Sequence, residues 1–186
     1  MDKVHTIQDL IALAKQAPQP LSYASPSPGS ISHLTAERLA NLAGMQLQHV
    51  AYKSAAPALT DLLAGHLPMV ALDMTTISPH LGSPKLRPLA INFPKRVPHL
   101  PNVPTLGEAG FQDLASVVAW VTLVGPAKLP AEQVVQINAA VAKAIADPAV
   151  NKRMNELYAI PKTGTPQAAR ALMQRDLGYW RKVLSD

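Results

Sequence analysis

Apolar positions along the first half of the chain alternate between two spacings. Ile7, Leu10, Ile11 and Ala14 recur three and four residues apart, which places them on one face of a helix over 7–16. Thr6 can cap that helix, and Asp9 suits its positive end. A proline-flanked break ends it. Leu21 to Ala24 then reads as a short strand, Ser25 to Ser30 as a turn, and the following segment as a helix that runs to about Ala43 and stops at Gly44. The unit repeats, with a strand at Leu47 to Ala51, a helix at Pro57 to Ala64 ended by Gly65, and a strand at Met69 to Leu72. Strands alternating with helices imply a parallel sheet covered by helices.

The second half has a different pattern. Leu86 to Ile91 reads as a further strand, followed by a connection through Pro94, Pro98, Pro101 and Pro104, with a lobe boundary near Leu114. Val117 to Val124 is the longest apolar stretch; it is too short to span a bilayer and reads as a buried strand. Helices are expected over 131–146, 148–157 and 166–184. Leu172, Leu177, Trp180 and Leu184 form the apolar face of the last one. The expected division is therefore residues 1–113 as an α/β lobe and 114–186 as a mostly helical part with one strand, too little sheet to close a second lobe.

Composition narrows the function classes. The 186 residues include 48% hydrophobic and 16% charged side chains, so a folded core is expected rather than disorder. The 18 prolines are spread without a repeat and act as punctuation. A net charge of +5 favours acidic ligands by long-range steering, but the basic residues are scattered and few aromatics interleave them, so nucleic-acid binding is not expected. Without Cys there are no disulfides, thiolate metal sites or cysteine nucleophiles, and the six His lack metal-ligand spacing. Neither a metal nor a nucleotide cofactor is expected. Gly107-Glu108-Ala109-Gly110 has neither the Walker lysine nor the dinucleotide spacing. Met1-Asp2-Lys3-Val4-His5 is not followed by an apolar leader segment, so a cytoplasmic location is expected if the chain is complete as given.

The densest candidate chemistry is Ser25 to His33. Ser25, Ser27 and Ser30 offer hydroxyls, Gly29 allows close backbone approach, and a helix start offers free N–H groups, a combination that suits a carboxylate or phosphate. An ordinary turn, in which Ser30 only caps the helix, explains the same residues equally well. His33 lies one turn into that helix, as a donor to a ligand or as a packed residue. Asp73, with Thr75 and Thr76 beside it, follows the strand Met69 to Leu72 at the carboxyl end, where ligands enter open α/β sheets. Asp73 or Thr75 could equally cap the next short helix. A hydrolase built on Ser30, Ser32 and His33, with Asp61 or Asp73 as a third member, lacks a Gly-x-Ser-x-Gly elbow and ranks last.

Several segments together resemble the substrate receptors of tripartite tricarboxylate transporters, the Bug family. The resemblance runs through Tyr23-Ala24-Ser25, Gly29 to Leu34, His49 to Lys53 and Ala56 to Gly65, then Lys85 to Ala90, Arg96, Leu100 to Thr105 and Glu108 to Gly110. It ends with Trp120, Gly125-Pro126, Asn138, Ala146 to Val150, Gly164-Thr165-Pro166 and Trp180. It implies a periplasmic-binding-protein-like (type II) fold, with a helical C-terminal remnant of the other lobe. It further implies a small di- or tricarboxylate held between lobes, delivery to a membrane permease without chemical change, and a periplasmic location. On that basis Ser25, Ser27, Gly29, Ser30, His33, Asp73 and Thr75 are the expected ligand-binding residues. The chain departs from the family pattern in lacking the usual N-terminal glycine-rich segment, and at Pro26, Pro28, Ala51 and Pro68. A truncated receptor of this kind is expected to self-associate through its incomplete C-terminal lobe. An interaction module with an unused cleft is the alternative.

Overall fold

The structure is a computed structural model that describes residues 4–115 and 117–185, so the first three residues of the segment considered as a leader lie outside the described residues. Helix α1 (Ile7–Gln16) opens with a capping box. The Thr6 hydroxyl accepts the Asp9 N–H at 3.1 Å while the Asp9 carboxylate accepts the Thr6 N–H at 2.9 Å. Strand β1 (Leu21–Ser25), helix α2 (Ile31–Ala43) and strand β2 (Leu47–Ala51) follow at the expected places, and helix α3 (Ala55–Ala64) begins two residues before the expected Pro57. Helix α2 ends at Gly44 with φ 63°, the left-handed conformation that lets its N–H turn back to the Ala40 and Asn41 carbonyls.

β1 and β2 pair in parallel, with Leu21 opposite Leu47 and Ser25 opposite Ala51. On its other edge β1 meets a single parallel bridge, Ala24 to Val70. There the Ala24 N–H donates to the Met69 carbonyl at 3.2 Å and the Ala71 N–H to the Ala24 carbonyl at 2.8 Å. The strand expected over 69–72 is therefore one bridge long. The order is β2, β1, then residues 69–71, with β1 central.

Alternation along β1 sorts its side chains between two helical layers. Leu21 faces α1 and α2, where Leu10, Ala14, Ala40, Ala43 and Met45 are buried. Ala24 faces the other way, onto Ala58 of α3 and Leu67, with Val50 and Val70 packed alongside. Helices on both faces of a parallel sheet are the α/β architecture that the alternating pattern implied.

Two expected strands did not form. Over 86–91 only Ile91 bridges, in parallel with Thr105; Pro88 has no N–H to give a ladder. Over 117–124 there is no strand, and Val121, Leu123 and Val124 are 101%, 72% and 69% exposed rather than buried. A β-branched run favours extended backbone, but a strand also requires a neighbour to receive its hydrogen bonds, and among the described residues none pairs with it. The chain forms two compact units that part between Ala119 and Trp120, not at Leu114. Leu114 is wholly buried and Val117 nearly so, both inside the first unit.

The family-like residues of the proline-rich connection serve its folding. Arg96 donates to the Glu108 carboxylate at 2.9 Å and to the Pro101 carbonyl at 3.0 Å. Glu108 in turn accepts the Thr105 N–H at 2.8 Å, and Thr105 Oγ1 accepts the Glu108 N–H at 3.0 Å. In the second unit, α4 (Met74–Ile77) of the first unit being the intervening short helix of the chain order, come α5 (Ala131–Ala146), α6 (Pro148–Glu156) and α7 (Pro166–Ser185). Asp147 caps α6 through the Ala149 and Val150 N–H groups. The Trp120 indole N–H donates to Asp176 on α7 at 2.5 Å, and the Asn138 amide donates to the Gly164 carbonyl at 3.0 Å. Among the described residues no helix is long and apolar enough to cross a membrane.

Candidate functional site

The strand order creates a switch point. From β1 the chain crosses to β2 on one side, then returns past β1 to residues 69–71 on the other. Connections leaving the carboxyl ends of β1 and of the 69–71 segment therefore diverge, and such divergence opens the crevice where open α/β sheets receive ligands. The two segments that follow those carboxyl ends are 25–33 and 73–76.

In the first, the chain leaves β1 at Ser25, which is wholly buried. The Ser25 hydroxyl donates to the Ser27 carbonyl at 3.3 Å and lies 2.7 Å from His49 Nε2 on β2. Ser27 and Gly29 are exposed, and Gly29 has φ 75° with open space where a side chain would stand. Ser30 caps α2, its hydroxyl oxygen accepting the His33 N–H at 3.2 Å. The His33 ring accepts the Gly29 N–H at Nδ1, 3.1 Å away. His33 and Ser30 are therefore not arranged as base and nucleophile. The Ser25–His49 pair has a shorter contact, but its hydroxyl has no access to solvent. The Ile31 and Ser32 N–H groups, in the first turn of α2, have no intrahelical acceptor and are the amides an anion would use.

In the second segment Asp73 caps the short helix α4. Its carboxylate accepts the Thr76 N–H at 2.9 Å, the Thr76 hydroxyl at 3.1 Å and the Thr75 hydroxyl. Burial pushes the Asp73 carboxyl up, but the hydrogen bonds from Thr75 and Thr76 together outweigh it and hold the group below the ordinary 3.8. A carboxyl lowered in the folded state adds stability that is fully present above the unfolded value and is lost as pH falls through the folded one. Asp73→Asn is therefore expected to lose less stability than the wild type between about pH 5 and about pH 2.5, measured as the shift in urea midpoint. Equal acid losses in the two proteins would show that the Thr75 and Thr76 bonds do not favour the ionised form.

The structure adds residues to this site that residue-by-residue reasoning did not single out. Tyr23, Glu37 and His49 join His33 and Ser25 in one polar cluster on the α2 side of the sheet. The Tyr23 hydroxyl donates to Glu37 at 2.5 Å, and the His49 ring lies 5.0 Å from the Tyr23 ring and 4.1 Å from that of His33. Burial, with the Glu37 bond added, raises the Tyr23 phenol far above its usual value. Burial and then the neighbouring His33 lower the His49 imidazole, against a smaller opposing effect of Glu37. The signal was present in the period of two, which sets residues 21, 23 and 25 of β1 and 47, 49 and 51 of β2 on a shared face. Asp61 faces a different group: it accepts the Tyr52 hydroxyl at 2.5 Å and lies 3.4 Å from His66, and these two partners, Tyr52 first, lower its carboxyl. Lys53 is exposed at the end of β2.

Comparison with known proteins gives consistent matches. The family model for the Tripartite tricarboxylate transporter family receptor matches residues 2–186. The UPF0065 protein in the tcbD-tcbE intergenic region of Pseudomonas sp. (strain P51) is 32% identical over 178 residues, covering 96% of this chain and 53% of that protein. The solved structure of R. palustris Rpa4515 with adipate superposes with a TM-score of 0.87 at 31% identity, over 98% of this chain and 61% of that one. MatC from Rhodopseudomonas palustris, with bound malate, gives a TM-score of 0.80 at 26% identity, over 96% and 61% of the two chains. The chain thus spans about half the length of the first relative and about three-fifths of each solved chain.

Proposed function

Because the chain belongs to the tripartite tricarboxylate transporter receptor family, we propose that it binds small di- or tricarboxylates, as the receptor component of an uptake system that delivers them to a membrane permease. What supports this reading is the strand order, which sets a serine- and glycine-rich helix start and the Asp73 cap after the carboxyl ends of neighbouring extended segments, in a chain matched by the receptor family along nearly its whole length. Adipate and malate are bound by two proteins of like fold, and both are dicarboxylates. Binding involves no bond making, and no catalytic residue is assigned. The same family reading supports a periplasmic location.

The residues divide between two roles. Ser27, Gly29 and Ser30, with the first-turn amides of α2, are the groups that would receive a carboxylate, since hydroxyls and N–H groups complement its oxygens. Ser25 holds the loop onto β2 through His49. Asp73 carries the same charge as the ligand, so its part is to fix Thr75 and Thr76 at the far side of the crevice rather than to bind an anion directly. The net charge of +5 assists capture by steering anions toward the protein.

Thermal unfolding in a panel of adipate, malate and citrate tests the proposal. A ligand present at about a hundred times its dissociation constant stabilises the native state by about 2.7 kcal/mol. A rise in midpoint with at least one acid, reduced in Ser30→Ala, is expected; an unchanged midpoint with every acid at millimolar concentration would refute carboxylate binding by this chain.

Self-association is proposed for the second unit. Val121, Leu123, Val124, Val135 and Leu184 are each more than three-fifths exposed, and burying such residues against a second copy removes apolar surface from water. Light scattering is expected to give at least twice the 19.8 kDa monomer mass. A monodisperse monomer would exclude it.

A further inference from the structure

Two polar groups of the 25–30 loop are held by imidazoles. The Gly29 N–H donates to His33 Nδ1 at 3.1 Å, and the Ser25 hydroxyl lies 2.7 Å from His49 Nε2. A ring nitrogen that accepts a hydrogen bond carries no proton, so His33 is the neutral tautomer with its proton on Nε2, 3.9 Å from the Glu37 carboxylate. The loop amide best placed by its exposed glycine is therefore claimed by a side chain whose own protonation decides whether it can accept.

We propose that carboxylate binding at this loop is coupled to uptake of one proton by His33. The inference rests on the carboxylate-receptor reading above. When the anion accepts the Gly29 N–H, Nδ1 loses its donor and gains a carboxylate as neighbour. A proton from solvent then adds to Nδ1 while Nε2 keeps its own, and the imidazolium donates to the bound anion. No covalent bond changes, and the ring gains one positive charge beside the negative ligand.

The surroundings select His33 over His49 for that proton. Glu37, on the same helix, lies on the Nε2 side of His33 and favours its cation. Facing from β1, Tyr23 keeps its proton and donates it to Glu37, so it adds no charge. Facing from β2, His49 lies 4.1 Å away, centroid to centroid, and is itself biased toward neutrality by burial and by His33. Two cations at that separation repel, so the pair accommodates one charge. The His33 side chain retains 20% exposure and so has a route to solvent protons.

Calorimetry of adipate and malate binding near pH 7, repeated in buffers of different ionisation enthalpy, counts the protons taken up. The wild type is expected to take up a substantial fraction of one proton per ligand, with affinity rising toward lower pH by at most about tenfold per pH unit. His33→Gln is expected to take up none and to bind with a flat pH profile. In the absence of any carboxylate, the Gly29 amide resonance of the wild type is expected to shift as His33 titrates. Tight binding with no proton uptake and no pH dependence would overturn this inference while leaving the receptor reading intact. No binding of adipate, malate or citrate at any pH would overturn both, and a Gly29 resonance indifferent to the His33 titration would overturn the amide–imidazole link even if His33→Gln does not fold.

Discussion

Tyr23→Ala is expected to cost about 3–5 kcal/mol of stability, the range for emptying an aromatic site in a core. Tyr23 is 2% exposed in the middle of the central strand, with its ring beside His49 and its hydroxyl on Glu37. Truncation would leave a cavity between β1 and α2 and remove the partner of a carboxylate at once. Tyr23→Phe keeps the volume and loses only the hydrogen bond, at about 1 kcal/mol. Urea unfolding followed by circular dichroism measures both, because the two Trp, Trp120 and Trp180, lie in the second unit and fluorescence would report that unit alone. A cost below about 1 kcal/mol for Tyr23→Ala would contradict its place in the core.

Leu114→Ala should cost about 2–5 kcal/mol, while Leu123→Ala, nine residues on, should stay within about 0.5 kcal/mol when both are measured on the unassociated chain at low protein concentration. Leu114 closes the short 3₁₀ turn Gln112–Leu114 and is wholly buried; Leu123 is 72% exposed. The comparison decides where the first unit ends. A residue in a linker tolerates truncation, whereas one sealing a core does not. If the two substitutions have similar effects, the division between Ala119 and Trp120 is wrong.

Helices were the most legible elements, for a local reason. Thr6 with Asp9, Ser30 ahead of Ile31, Gly44, Gly65 and Asp147-Pro148 are capping signals that act within four residues, and each marks a helix end in the structure. Met69–Leu72, Leu86–Ile91 and Val117–Val124 looked alike as apolar runs, yet among the described residues the first two formed single bridges and the third found no partner strand. An extended segment becomes a strand only when another lies beside it, and that partner is distant in sequence.

The candidate site shows the same division. Ser30 as cap of α2 and Asp73 as cap of α4 were legible, since a side chain three residues ahead of an N–H can reach it directly. That Ser25 turns inward to His49, and that His33 takes the Gly29 N–H, depended on β1 and β2 being neighbours and α2 lying over them.

By itself, the sequence determined the α/β class, the helix ends and the receptor family, because periodicity, capping and motif order are written in consecutive residues. Tertiary structure alone decided the strand order β2, β1, 69–71, the burial of Leu114, and the cluster of Tyr23, Ser25, His33, Glu37 and His49. The physical reason is that hydrogen-bond ladders and buried polar clusters join groups tens of residues apart. Their energy depends on distances that exist only once the chain has closed on itself.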